Sequence, residues 1–382
     1  MTAESSAGAR IHVVRFAPAK LNLTLAVTGR RSDGYHSLHS VMVPLSLGDA
    51  LTVSTAPSSA GRDTLRVTGL ALTTTPDNLV FKAVAAVRAA IAETWPGAPA
   101  VPPSLSAHLA KRIPVAAGLG GGSSDAAAAI AAALAAWSAG LSPEATAVLA
   151  ASLGSDVPFF LAGGAALVTG RGEFVQPLRD IEGASQNGES PAVLLVTPQL
   201  PVATAAVFKA YAGGTRLVGS QALEISERLV EAMRPGIPGS ELYRRLPELA
   251  HANDLLAAAS SIAPGLNGFI AALEKAIGRP VCLSGSGPTL WSLYPNLAEA
   301  RKAVRFVRLA AVNGTLPPVG SGEPFVAATT IAARSTPPSV SIPEGTTGTI
   351  RPRTVHNGFD AGAHGPDEPA GRPANSNGEE PR

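Results

Sequence analysis

The apolar positions of the chain change period several times, and each change marks an element. Ile11 to Phe16 and Leu21 to Val27 alternate as strand segments, Tyr35 to Leu47 as a returning strand, and Leu51 to Ser54 and Thr64 to Val67 as short strands. Asp33-Gly34 is a hairpin turn signal between the first of these. The period then becomes helical over Pro76 to Trp95. Leu79, Val80, Ala83, Val84, Val87 and Ile91 form its stripe, with Thr75 as N-cap and Pro76 in the first turn. Ser104 to Ile113 alternates again. An alanine-rich helix follows from Ala126 to Trp137, and another from Ser142 (its cap) to Leu153, stopped by Gly154.

Beyond the strand at Ala165 to Thr169, the segment from Gln176 to Pro191 is polar and reads as an exposed linker. Ala192 to Val196 opens a second mixed region. Its helices are expected near Val202 to Tyr211, Gln221 to Met233, Leu266 to Ala276 and Leu297 to Leu309. Its remaining strands are expected near Val281 to Leu283, Leu290 to Leu293 and Phe325 to Ile331. This mixture, rich in antiparallel sheet, is an α+β pattern. The expected organisation is a flexible N-terminus (1–9), an N-terminal domain (10–175), a C-terminal domain (190–332) and a tail (335–382). The tail is rich in Pro and Gly, lacks apolar periodicity, and reads as disordered.

Composition narrows the classes. Hydrophobic residues make up 46% of the 382 residues and charged residues 15%, enough for a large core. The net charge of +2 contains no dense basic run, so no nucleic-acid partner is expected. Cys282 stands alone, which excludes an intramolecular disulfide and fits a reducing compartment. Met1 to Arg15 has no apolar core of signal-peptide length, and the longest apolar run, Ala126 to Trp137, is too short to span a bilayer, so the expectation is a soluble, cytoplasmic protein without a membrane partner, monomeric or weakly dimeric.

The candidate chemistry centres on Pro114-Val115-Ala116-Ala117-Gly118-Leu119-Gly120-Gly121-Gly122-Ser123-Ser124-Asp125. It lies between a strand and a helix. Glycines let backbone amides approach a ligand, and a helix start adds unpaired N–H groups and the positive end of a dipole. Together they suit an anion, phosphate first. Ser123 and Ser124 could cap the helix, bind phosphate oxygens or hold a phosphate-bound Mg2+. The Lys of a Walker A loop is missing, and Ser123 stands where a dinucleotide fingerprint has its last Gly. The stretch resembles the phosphate loop of the GHMP kinase superfamily. Its third glycine and Ser-Ser-Asp-Ala-Ala continuation resemble the 4-diphosphocytidyl-2-C-methyl-D-erythritol kinase branch.

Other stretches support this. In Pro18-Ala19-Lys20-Leu21-Asn22, strand geometry puts Lys20 and Asn22 on one face. Alone, Lys20 reads as a solvated edge-strand lysine. In Gly154-Ser155-Asp156-Val157-Pro158, Asp156 borders an apolar run, and alone it reads as the N-cap of a short turn over Val157 to Leu161. Both stretches, and the late loop Ser284-Gly285-Ser286-Gly287-Pro288-Thr289, fall in the order and rough spacing of the family. The short segment Asn253-Asp254 is also similar. The resemblance covers about residues 12–332. It implies a two-domain GHMP kinase fold: an N-terminal nucleotide domain like the ribosomal protein S5 domain 2, and a C-terminal ferredoxin-like α/β plait.

The resemblance also implies roles. Lys20 and Asp156 would be the catalytic pair, Asp156 as general base. The glycine loop from Pro114 to Ser124 would bind ATP with Mg2+. Asn22, Tyr35, His36, Phe208, Gly285 and Ser286 would bind the small-molecule substrate, with Tyr35 stacking on cytosine and His36 bonding its edge. His36 and His39 lie on opposite faces of a strand and are not metal ligands. Two alternatives stand. A superfamily kinase of the homoserine or mevalonate type is disfavoured by Asp33-Gly34-Tyr35-His36 and the extra glycine. A non-catalytic nucleotide-binding regulator is disfavoured by the retention of both Lys20 and Asp156.

Overall fold

The longest strand, β3 (His36–Thr55), organises the larger sheet because Ser40 to Leu45 are buried on both faces. The computed structural model describes residues 11–55, 61–70, 75–94, 102–183, 191–200, 202–212 and 220–334. Four strands pair antiparallel with β3: β1 (His12–Asn22), β2 (Ala26–Arg30), β5 (Leu105–Lys111) and β6 (Ala166–Gly170). β4 (Thr64–Gly69) runs parallel to β5, and β7 (Phe174–Pro177) antiparallel to β6. The first expected segment runs on past Pro18, so that β1 takes in Leu21 and Asn22 with a register shift between Pro18 and Lys20, whereas the second is divided: the chain leaves β1 after Asn22, and Ala26 and Val27 open β2. The expected break after Leu47 is also absent. Gly48 lies within the strand, and the Phe16 ring packs where its side chain would stand.

Helices α1 (Leu79–Thr94) and α2 (Gly121–Ala136) cover one face of this sheet. Alanine is the best helix former and the smallest apolar side chain, so α2 buries Ala126 to Ala129, Ala132, Ala133 and Ala136 close against its neighbours. The cap of α1 is Asn78, whose Oδ1 accepts from Val80 N at 2.9 Å; Thr75 and Pro76 precede the helix. α3 (Pro143–Leu153) has Ser142 as its cap and Gly154 as its stop, as its sequence requires. The short α4 (Val157–Ala162) follows at once.

The second sheet contains β8 (Ala192–Thr197), β9 (Cys282–Leu283), β10 (Leu290–Tyr294) and β11 (Phe325–Thr330). Its order is β11-β8-β10-β9, all antiparallel. Numbered within this half, the order is 4-1-3-2, that of an α/β plait. Helices α5 (Thr204–Ala212), α6 (Gln221–Met233), α10 (Leu266–Ile277) and α11 (Leu297–Val312) match the expected positions. Three short helices were not legible in the sequence: α7 (Gly239–Arg244), α8 (Leu246–Leu249) and α9 (Leu256–Ile262). They are too short to establish a period.

One core joins the two sheets. Leu21, Val41 and Val43 pack in a cluster with Leu195, Trp291 and the buried Ile225, Leu229 and Met233 of α6. Leu178 and Ile181 belong to it as well, so the segment after Gln176 is not an exposed linker at its start. Residues 184–190, the N-terminus 1–9 and the tail 335–382 lie outside the described residues. Among the described residues, no single helix is long and apolar enough to cross a membrane.

Candidate active site

The glycine loop leaves β5 and turns into α2 earlier than the alanine run suggests. α2 starts at Gly121, with Gly120 in the left-handed region (φ 69°) at the cap position. No side chain caps this helix, so the capping role open to Ser123 and Ser124 is not used. Both serines lie inside the first turn, and Gly120 leaves the amide end of the helix bare. Ser124 is buried, and its Oγ has no hydrogen-bond partner among the described residues. Ser123 is half-buried beside Gly154, where an added Cβ would lie 3.6 Å from Ser123 Oγ.

Two glycines of the loop are required by their surroundings. A Cβ at Gly118 (φ 76°) would run into the carbonyl oxygen of Ser284, and one at Gly120 would lie 2.9 Å from both Lys20 Cγ and Phe160 Cζ. Gly121 behaves differently. Its missing side chain would point inward, 3.0 Å from Ile113 Cγ2 and Lys111 Nζ, so its backbone alone is available to a ligand. Val115 and Ala116 are exposed on the rim of the loop, Pro114 is half-buried, and Ala117 and Leu119 anchor it in the core. Gly122 is exposed.

Lys20 and Asn22 share a face of β1, as strand geometry requires. Lys20 Nζ donates to Asn22 Oδ1 at 2.5 Å and lies 3.7 Å from Asp156 Oδ2. The lysine side chain is 5% exposed and the aspartate 28%. A buried ammonium is costly unless paired, and Asn22 and Asp156 together satisfy it. Asn22 is fixed in turn by donating to Ser40 Oγ at 2.8 Å, and Lys20 N donates to Leu119 O at 2.9 Å, which ties β1 to the glycine loop. Asp156 sits at the cap position of α4 but makes no side-chain cap bond, so its carboxylate is left to face Lys20. Lys20 is not the solvated edge lysine that its sequence alone suggests.

The late glycine loop closes the far side. Ser284 Oγ donates to Gly118 O at 3.0 Å. A Cβ on Gly285 would lie 3.3 Å from Lys20 Nζ and 3.4 Å from Asn22 Oδ1. Ser286 Oγ is 2.9 Å from Thr204 Oγ1 at the start of α5. The loop is held by a residue the sequence singled out only weakly: Asn253 Nδ2 donates to Leu283 O and Gly285 O at 2.9 and 3.0 Å.

A third group lies at the β2–β3 turn. His36 stacks on Phe208 of α5 with ring centroids 5.3 Å apart, and Tyr211 meets His36 edge-on at 6.1 Å. Tyr35 is 54% exposed, with the Arg171 guanidinium over its ring at 5.4 Å. His39 faces the other way and bonds Ser226 Oγ at 2.9 Å. No cluster of potential metal ligands occurs among the described residues.

Sequence reasoning missed the ion cluster beneath the glycine loop. Lys111 Nζ donates to Asp49 Oδ2 and to Asp125 Oδ2, the latter at 2.7 Å, and all three side chains are at most 3% exposed. Asp49 Oδ1 also accepts from the Ile113 N–H at 2.9 Å. The signal was present: Lys111 continues the inward alternation of Leu105, Ala107 and Leu109. Burial, with Asp49 alongside, pushes the Asp125 carboxyl up to about 7 against the pull of Lys111.

Comparison with known proteins gives the family. The family model for the GHMP kinases N terminal domain matches residues 78–164, which contain the glycine loop, α2 and Asp156. A 4-diphosphocytidyl-2-C-methyl-D-erythritol kinase of Pelotomaculum thermopropionicum is 36% identical over 297 residues, covering 78% of this chain and 94% of that protein. One from Deinococcus radiodurans is 39% identical over 290 residues, covering 75% and 86%. A crystal structure of 4-(cytidine 5'-diphospho)-2C-methyl-D-erythritol kinase superposes with a TM-score of 0.58 at 30% identity, covering 83% of this chain and 99% of that one. On these relatives the chain belongs to the 4-diphosphocytidyl-2-C-methyl-D-erythritol kinase family of the GHMP kinases.

Proposed function

We propose that this protein transfers the γ-phosphoryl group of ATP to the 2-hydroxyl of 4-diphosphocytidyl-2-C-methyl-D-erythritol, a step of the non-mevalonate route to isoprenoid precursors. The observation that carries the reading is the Lys20–Asp156 pair, 3.7 Å apart at the mouth of the glycine loop. In this reading residues 10–175 are the N-terminal nucleotide-binding domain and residues 190–332 the C-terminal domain, which contributes Phe208, Gly285 and Ser286.

In this reading Asp156 accepts the proton of the substrate hydroxyl as its oxygen attacks the γ-phosphorus. The bond from that phosphorus to the bridging oxygen breaks, and ADP leaves with the electron pair. Lys20, 3.7 Å from Asp156 Oδ2, orients that carboxylate and meets the negative charge on the transferring group. The bare amide end of α2 and the loop from Pro114 to Ser124 cradle the phosphates, and Gly118 and Gly120 let that loop close against Ser284, Lys20 and Phe160. When bound with ATP, Mg2+ would neutralise phosphate charge. Of the two serines, Ser123 fits that ion, because Ser124 Oγ is enclosed. Asn22, Gly285 and Ser286 line the acceptor side, and Tyr35, His36 and Phe208 receive the cytosine.

The test is ADP release with a panel of acceptors: the diphosphocytidyl alcohol, homoserine and mevalonate. Turnover with the first alone is expected. Turnover with homoserine or mevalonate in its place refutes the assignment, and no turnover with any acceptor favours a binding protein.

A further inference from the structure

Two chain turns meet beside the aromatic group. The β6–β7 turn spans Gly170 to Glu173, and the β2–β3 turn spans Arg31 to Tyr35. Glu173 bridges them, its Oε2 accepting from Arg171 N at 2.6 Å while its Oε1 lies 3.8 Å from Arg31 Nη1. Arg31 Nε donates to Asp33 Oδ2 at 3.0 Å, and Asp33 Oδ1 accepts from Tyr35 N at 3.1 Å. The Arg31 bond, then the Tyr35 amide, holds the Asp33 carboxyl below its ordinary range, and Arg171 adds to the pull. Arg171 then turns back, its guanidinium over the Tyr35 ring.

Tyr35 needs such support. More than half of its surface is exposed, and an exposed ring held at one end only by its backbone samples several rotamers. A cation over one face of the ring fixes its plane and leaves the opposite face as the surface on which a base can stack. No residue of the glycine loop or of the Lys20–Asp156 pair takes part in this arrangement.

We propose that Arg171 is a positioning residue for substrate specificity, holding the Tyr35 ring in the plane that receives the cytosine. The proposal rests on the base-binding reading of Tyr35 given above. The same turn reaches the catalytic side, because Gly172 packs against the backbone of Ser155, next to Asp156.

The experiment is calorimetric titration of cytidine 5′-diphosphate and, separately, a non-hydrolysable ATP analogue. The proteins are wild type, Arg171→Ala, Arg171→Lys, Tyr35→Ala and the Tyr35/Arg171 double variant, each checked for an unchanged melting temperature. Loss of an exposed cation–π contact predicts roughly 2–5-fold weaker binding of the cytidine probe to Arg171→Ala. Binding of the ATP analogue and kcat at saturating substrate are expected to be unchanged, so that KM alone rises. Arg171→Lys should recover most of the loss, and removing Arg171 should cost nothing further in the Tyr35→Ala background. If Arg171→Ala costs the same with and without the Tyr35 ring, Arg171 acts on the ligand by itself and the proposal is wrong. If Tyr35→Ala weakens the probe but Arg171→Ala does not, the base pocket stands and only the role of Arg171 falls. If Tyr35→Ala leaves the probe unaffected, the base-binding reading and this inference fail together.

Discussion

The buried cluster of Lys111, Asp49 and Asp125 makes an unusual demand on pH. Two carboxylates share one ammonium, and Asp125 Oδ1 has no partner among the described residues. Burial raises the Asp125 carboxyl from 3.8 to about 7. Between those values the folded protein holds a proton that the unfolded chain has released, so stability falls as pH rises. The contribution is fully present below about 3.8 and is gone above about 7. Converted at the usual rate, that interval corresponds to about 4 kcal/mol, much of the stability of an ordinary domain. His39 acts in the opposite sense, because burial lowers its imidazole and stability there rises with pH through the unfolded value of 6.5. The comparison that isolates Asp125 is therefore wild type against Asp125→Asn at each pH, since His39 is common to both. Urea unfolding at pH 5, 6, 7 and 8 is the assay. Asp125→Asn should be more destabilised than wild type at pH 5, and the gap should close by a few kcal/mol toward pH 8 as wild type loses its own contribution. A gap that is constant with pH, or that widens, would falsify the assignment of the retained proton to Asp125.

The proposed catalytic pair, Lys20 and Asp156, makes a second prediction: Asp156→Asn should lower single-turnover phosphoryl transfer by ~10²–10⁴-fold with ligand binding intact. The Lys20→Ala/Asp156→Asn double variant should be little worse than the worse single, whereas multiplicative losses would show independent action. Gly118→Ala should raise the KM for ATP and lower the melting temperature. It forces a left-handed residue at a cost of about 1–2 kcal/mol and strikes backbone at Ser284 that cannot swing away; normal ATP binding would remove this glycine from the cradle. Gly172→Ala places a Cβ 2.5 Å from Ser155 O and should lower kcat while cytidine 5′-diphosphate still binds, and an unchanged kcat would disconnect this turn from Asp156.

Much of the molecule was legible along the chain, because local rules act locally. Alternation marked most strands, Ser142 and Gly154 bounded α3, and the alanine run announced α2. The family resemblance rested on short motifs whose residue types answer to chemistry: the glycine loop, Lys20 with Asn22, and Asp156. Other features depended on partners far away in sequence. Pro18 reads as a break, but pairing with β3 carries the strand past it through a shift in register. Asp156 reads as a helix cap, and only the approach of Lys20 from β1 turns its carboxylate into half of an ion pair. Asp33-Gly34-Tyr35-His36 predicts a hairpin turn, but the plane of the Tyr35 ring depends on Arg171 from another turn. Asp49, Lys111 and Asp125 lie on three separate elements, and none is conspicuous alone. Backbone preference and apolar period are encoded within a few residues. The cost of burying a charge is set by whatever the fold brings beside it, so that part of this protein was decided by its tertiary structure.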